Sequence, residues 1–199
     1  MLSEVSTVAG ADQYLSAGHS ANAQLSPWRD WGIEGPLTVV INEQVISDKD
    51  FNAWCCSDMC LIRDPAIFPQ LQLSTDIVLA APWHPRRLIS NIGSIGQDRP
   101  RGIFQQDSNH MILYHYPLMI GWVAGGNHSL MQGILQGGSV IPEEVYDVSP
   151  IIHAVAFDGT QWVCCHSGNP MGKPRYPEFG WCWEIAKRIM SLEYSPYRK

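Results

Sequence analysis

The chain has 199 residues, of which 45% are hydrophobic and 16% are charged, a composition typical of a globular protein rather than a disordered one. The formal net charge of -6 excludes a global positive field, so nucleic-acid binding would need a local basic patch. No apolar stretch reaches the roughly 20 residues of a membrane span, and the N-terminal residues lack a signal-peptide pattern. We therefore expect a cytoplasmic protein without a membrane span.

The N-terminal segment, residues 1–27, is rich in Ser, Ala, Gly and Gln and has weak periodicity. This composition predicts a loosely ordered arm with a short helix near residues 12–15. Residues 28–199 contain no repeat and no clear linker, which predicts a single domain. The β-branched run 37–41 predicts its first strand, and Ser47 or Asp48 is expected to cap a helix through Phe51.

In the rest of the chain, strands and helices are predicted to alternate irregularly. Strands are expected over 76–81, 110–116, 119–124, 151–157 and 161–165, with a hairpin turn at Asp158-Gly159. Helices are expected over 85–95, 129–136 and 181–192, and a loop over 166–180. This order favours a small α/β (α+β) fold, with a mixed sheet and flanking helices, over an all-parallel sheet.

The turn Gly125-Gly126-Asn127-His128-Ser129 joins the strand 119–124 to the helix 129–136. A strand that turns through glycines into a helix directs backbone N–H groups and the helix dipole at one point, where phosphate can bind. We interpret Gly125, Gly126, Asn127 and Ser129 as phosphate ligands and His128 as a general base or phosphate ligand. The alternative is a tight turn in which Asn127 or Ser129 caps the helix and His128 hydrogen-bonds a carbonyl.

Two further groups could complete such a site. Arg86 and Arg87 open the helix 85–95 and could neutralise phosphate charge, or they could simply be solvated. Cations are unfavourable in a first helical turn, which indicates a compensating anion: either a bound ligand or only Asp107 or Asp98. Asp107 could hold Mg²⁺ or act as a base, although such clusters are more often polar turns.

The cysteines suggest a metal at first sight. Within Cys55-Cys56-x3-Cys60, only Cys56 and Cys60 have zinc-like spacing, and no second pair matches them. Buried reduced thiols are the default interpretation, so we assign no metal ligands. A zinc-stabilised binding module remains the alternative.

The order helix 85–95, strand, strand, Gly-Gly-Asn-His turn and helix 129–136 resembles the ParB/sulfiredoxin superfamily over about residues 83–165. Its members carry a Gly-x-His-Arg-like turn that binds phosphates of ATP, CTP or DNA. Here Gly125 to His128 match that turn, but Ser129 replaces the usual Arg, which removes a bidentate phosphate partner. Asn127 stands where sulfiredoxin has its nucleophilic Cys, so sulfinic-acid reduction is not expected.

In its size and its lack of a helix-turn-helix DNA-binding motif, the chain resembles the oncogenic-suppression and fertility-inhibition branch of that superfamily. This resemblance implies a plasmid-type accessory protein that binds ATP or another nucleotide with Mg²⁺, and DNA, with ATPase and DNase activity. Its role would be to block conjugative or T-DNA transfer through a type IV secretion system, peripheral at the inner membrane through a partner. The alternative is a catalytically silent inhibitor that binds a coupling ATPase.

Overall fold

The computed structural model of the protein describes residues 30–41, 44–55, 57–82 and 84–192. The predicted arm 1–27 and its short helix lie outside these residues. The strands are β1 (Pro36–Ile41), β2 (Gln44–Asp50), β3 (Leu71–Gln72), β4 (Ile77–Leu79), β5 (Ile112–Tyr116), β6 (Ile120–Val123), β7 (Ser139–Val140), β8 (Glu144–Asp147), β9 (Val155–Phe157) and β10 (Trp162–Cys164). The α-helices are α1 (Phe51–Cys55), α2 (Pro85–Ser94), α3 (Asn127–Gln136) and α4 (Pro177–Ser191), and 3-10 turns lie at Pro65–Ile67 and Ser149–Ile151.

This mixture of helices and small sheets confirms the predicted α+β class. The largest sheet has four strands in the order β4-β6-β5-β8, and β4 runs parallel to β6. The pairs β1-β2, β3-β7 and β9-β10 are antiparallel. No helix in the described part of the chain is long and apolar enough to cross a bilayer.

The described residues form two compact units. The first contains Phe68–Tyr114 and Ile120–Glu144, and the second contains 30–67, His115–Met119 and 145–192. In the first unit, β4, β6 and α3 contribute fully buried apolar side chains, among them Val78, Ile120 and Leu130. The single domain expected over 28–199 stays a prediction.

The second unit is built around an aromatic cluster. The ring of Trp31 lies 5.1 to 6.2 Å from the rings of Phe51, Trp162, Phe179 and Trp183. The indole nitrogens are satisfied, since Trp162 donates to the Trp31 carbonyl (2.6 Å) and Trp183 donates to two other backbone carbonyls. Trp31, Trp162 and Trp183 are therefore core residues of this unit.

Three local predictions were wrong, and each has a local cause. The strand expected over 151–157 begins only at Val155, because Ser149–Ile151 forms a 3-10 turn in which the Ser149 N–H donates to Asp147 Oδ1. The C-terminal helix begins at Pro177, inside the expected loop 166–180, since proline is preorganised for a first helical position. Residues 44–50 form β2, so α1 begins after the expected caps Ser47 and Asp48.

Candidate functional site

The strand–turn–helix predicted around Gly125 is present in the first unit. Strand β6 ends at Val123, and α3 begins at Asn127, two residues earlier than expected. Gly126 occupies the cap position with φ +75°, and no side chain caps this end of α3. The cap residue is a glycine and offers no side-chain acceptor to this ten-residue helix. Its carbonyl accepts the N–H groups of Ser129 and Leu130.

The two glycines of this turn are needed by the protein's own packing. A Cβ at Gly125 would lie 2.7 Å from the Asn109 carbonyl oxygen, and one at Gly126 would lie 2.5 Å from Cδ2 of His110. Neither position can accept a side chain without moving the 109–110 segment. The glycines therefore allow the close approach of another chain segment, and that segment is intramolecular.

A surface cleft of about 770 Å³ brings the predicted phosphate ligands together. Its lining includes Arg86 and Arg87 at the start of α2 and the whole turn Gly125–Ser129 at the start of α3. Serine and asparagine side chains line much of the remainder: Ser90, Asn91, Ser108 and Asn109. Among the described residues that line it there is no carboxylate, so the cleft combines two guanidinium charges with a positive helix end.

Asn127 and His128 attach the start of α3 to the segment that precedes α2. The Asn127 Oδ1 accepts a hydrogen bond from the buried Ala81 N–H at 2.8 Å. The His128 Nε2 accepts one from the His84 N–H at 2.8 Å, and His84 itself caps α2 through its Nδ1. These bonds fix the two arginines relative to the turn Gly125–Ser129. Sequence patterns alone did not reveal this connection.

His128 is held as a neutral imidazole. Its side chain is buried, and burial lowers its pKa, with the charge of Arg87 lowering it further. The lone pair of Nε2 is already used by the His84 N–H. Action of His128 as a general base through Nε2 would require this bond to break, so the geometry favours positioning over proton transfer.

Ser129, His110 and Asp107 form an arrangement that looks like a catalytic triad but has the wrong proton placement. His110 Nε2 lies 2.6 Å from Ser129 Oγ, while His110 Nδ1 accepts the Asp107 N–H at 2.8 Å. Since Nδ1 is an acceptor, the ring proton sits on Nε2 and is donated to Ser129, which donates to the Gly126 carbonyl. Activation of a serine requires the histidine nitrogen that faces the hydroxyl to accept its proton instead. Burial also lowers the pKa of His110, and the Asp107 carboxylate, whose Oδ1 lies 3.3 Å from Nδ1, opposes this shift.

Asp107 does not line the large cleft. It lines a separate cavity of about 210 Å³ together with His110 and Ser129, and its Oδ1 accepts the Asn109 N–H at 2.8 Å. This is the polar turn that was the alternative interpretation of the cluster. Asp107 therefore shares a cavity with Ser129 but lies outside the cleft that all the other predicted ligands line.

The cysteines and possible metal ligands are dispersed. Among the described residues, no group of three or more His, Cys, Asp or Glu side chains could hold a metal ion. Cys60, Cys164, Cys165 and Cys182 are free thiols. Cys55, Cys60 and Cys164 are buried, Cys165 is exposed, and Cys182 lies between these extremes.

Comparison with known proteins gives one match. A family model described as a family of unknown function, DUF6710, matches residues 37–196. No curated protein and no solved structure matches the chain. Because the family model covers most of the chain, including the whole cleft, this protein belongs to the DUF6710 family.

Proposed function

We propose that the cleft of the first unit binds a phosphate-bearing ligand, and that ATP or another nucleotide is the ligand class that fits it. The observation that carries this proposal is the convergence of Arg86, Arg87 and the uncapped turn Gly125–Ser129 on one cleft. A volume of about 770 Å³ suits a small-molecule ligand larger than inorganic phosphate.

The placement of the arginines supports an anionic ligand. Both side chains are exposed in the first turn of α2, which contains no acidic residue. A cation in this position opposes the helix dipole at a cost of roughly 0.3–1 kcal/mol. A bound phosphate would offset that cost and accept bidentate hydrogen bonds from either guanidinium.

The roles of the individual residues follow from this geometry. Backbone N–H groups at the start of α3 would contact phosphate oxygens, the arginines would neutralise their charge, and Asn127 and His128 would position the turn. Asp107 fits poorly as a ligand for Mg²⁺ at this phosphate, because it lies outside the cleft and its carboxylate is engaged by Asn109. ATPase or DNase chemistry in this cleft would therefore depend on positioning and on charge stabilisation by the arginines and the helix end.

At the level of biological role, the ParB/sulfiredoxin resemblance supports a cytoplasmic, plasmid-type accessory protein that acts against conjugative or T-DNA transfer through a type IV secretion system. Free thiols at Cys60, Cys164, Cys165 and Cys182 fit a reducing compartment.

A second candidate is a catalytically silent inhibitor that binds a protein such as the coupling ATPase. It is favoured by Ile89 and Ile92 of α2, which are 67% and 44% exposed, and by the engaged lone pair of His128.

Calorimetric titration with ATP and CTP, with and without Mg²⁺, tests the proposal. The double variant Arg86→Ala/Arg87→Ala should bind at least about tenfold more weakly, because each charge-assisted hydrogen bond contributes roughly 1.5–3 kcal/mol. Arg188→Ala is the matched control, since Arg188 is an exposed arginine of α4 in the second unit. Absence of nucleotide binding by the unaltered protein, or equal binding by the double variant, would overturn the proposal.

A further inference from the structure

Three cavities of the first unit lie in series along α3. Ser129 lines both the phosphate cleft and the cavity of about 210 Å³. Ile103 and Phe104 line both that cavity and a third one of about 390 Å³, which reaches Gln136 and Gly137 at the other end of α3. Since α3 has ten residues, the series extends over roughly 15 Å. We call these three cavities the α3 groove.

The charges of the first unit are segregated toward this groove. The basic residues between positions 68 and 144 all line one of its three cavities: Arg86, Arg87, Arg99 and Arg101. Of the acidic residues in the same range, only Asp107 lines it, whereas Asp76, Asp98, Glu143 and Glu144 do not. A basic stripe on a protein of net negative charge is the electrostatic footprint of a polyanion.

Every basic residue of this stripe is an arginine, and residues 68–144 contain no lysine. Arginine binds phosphate through a rigid fork of donors and also stacks on planar rings, whereas lysine acts as a point charge. Gln97 and Gln105 also line the groove, whereas the amide of Gln106 is engaged by the Ile141 backbone. Ile103, which lines the second and third cavities, is 66% exposed. Amide groups can hydrogen-bond base edges, and an exposed apolar side chain can pack against a base.

We propose that the α3 groove binds a single-stranded nucleic acid, with its phosphates on the four arginines and its bases in the cavities. This inference rests on the proposed phosphate site, which would hold one end of the strand. Stacked nucleotides have the shortest spacing, about 3.4 Å each, so a length of roughly 15 Å holds at most about four nucleotides. Separate cavities favour a single strand over a duplex, because unpaired bases can turn into them while paired bases cannot.

The proposal is tested with the full chain and fluorescein-labelled oligodeoxynucleotides, measured by anisotropy over a range of salt concentrations. Affinity should rise with length up to about four nucleotides, and a single strand should bind more tightly than its duplex. The variant Arg99→Ala/Arg101→Ala should weaken strand binding at least about tenfold and reduce the salt slope by about 1.4, since each phosphate contact contributes about 0.7. Arg188→Ala again serves as the control.

ATP titration separates failure of this inference from failure of the phosphate site. If ATP binds but oligonucleotides bind no better than a mononucleotide, or if Arg99→Ala/Arg101→Ala leaves strand affinity unchanged, the groove proposal is wrong and the phosphate site stands. If duplex binds more tightly than single strand, the single-strand assignment is wrong. If neither ATP nor any oligonucleotide binds, both proposals are wrong.

Discussion

His115 should make the second unit sensitive to acid. Its side chain is almost fully buried and stacks on the Tyr146 ring at 5.3 Å, and burial lowers its pKa from 6.5 to about 3. Between these two pH values the unfolded chain binds a proton that the folded chain does not. The contribution of neutral His115 to the free energy of unfolding is therefore fully present above pH 6.5 and is lost as the pH falls toward 3. At pH 4.5 the loss from this residue amounts to about 3 kcal/mol, at roughly 1.4 kcal/mol per pH unit.

The variant His115→Phe keeps an aromatic ring beside Tyr146 and removes the titrating group. Urea unfolding followed by tryptophan fluorescence, which reports on the Trp31 cluster of the same unit, gives the free energy of unfolding at pH 7 and pH 4.5. The difference in the free energy of unfolding between the two pH values should be smaller in His115→Phe by roughly 2–3 kcal/mol. His153→Gln, which replaces an exposed histidine of this unit, should leave the difference unchanged. An equal pH dependence in His115→Phe and the unaltered protein would refute the reasoning.

The remaining predictions concern the turn between β6 and α3. Gly126→Ala should lower the free energy of unfolding by about 1–3 kcal/mol, since φ is +75° and the added Cβ would clash with His110. Gly93→Ala, at an exposed position in the last turn of α2 with open space around it, should raise it by about 0.4–1 kcal/mol. Thermal unfolding of both variants checks this pair, and a stable Gly126→Ala would contradict the assigned conformation. Asn127→Ala should cost about 1–3 kcal/mol because the buried Ala81 N–H loses its acceptor. Asn127→Asp retains an acceptor and should keep that stability while weakening ATP binding in calorimetry, and equal losses of stability in both variants would count against the hydrogen bond.

Sequence patterns predicted those parts of the fold that depend on neighbouring residues. The apolar run into Gly125-Gly126 and the periodic residues after it located β6, the turn and α3, and Asp158-Gly159 located the β9-β10 hairpin, where Asp158 Oδ1 accepts two backbone N–H groups. Errors arose where a local signal was overlooked. Pro177 at a first helical position could have placed the start of α4.

The sequence predicted which residue types form the candidate site, but not the hydrogen bonds and cavities that connect or separate them. Arg86, Arg87 and the turn Gly125–Ser129 were chosen because their chemistry suits phosphate, and they do line one cleft. No periodicity could show that the His84 N–H would occupy the His128 lone pair, because these residues are far apart in sequence. The same holds for Asp107, whose separation from the cleft depends on the path of the 96–110 segment.

The bond between position 84 and His128 has a consequence for sequence variation within the family. Its donor is a backbone N–H, so replacement of the His84 side chain would remove the cap of α2 and leave the connection to α3 intact. Only proline, which lacks this hydrogen, would abolish the donor. The acceptor, in contrast, belongs to the side chain of His128. Relatives that share this cleft should therefore tolerate many residues at position 84 but require an acceptor of similar reach at position 128.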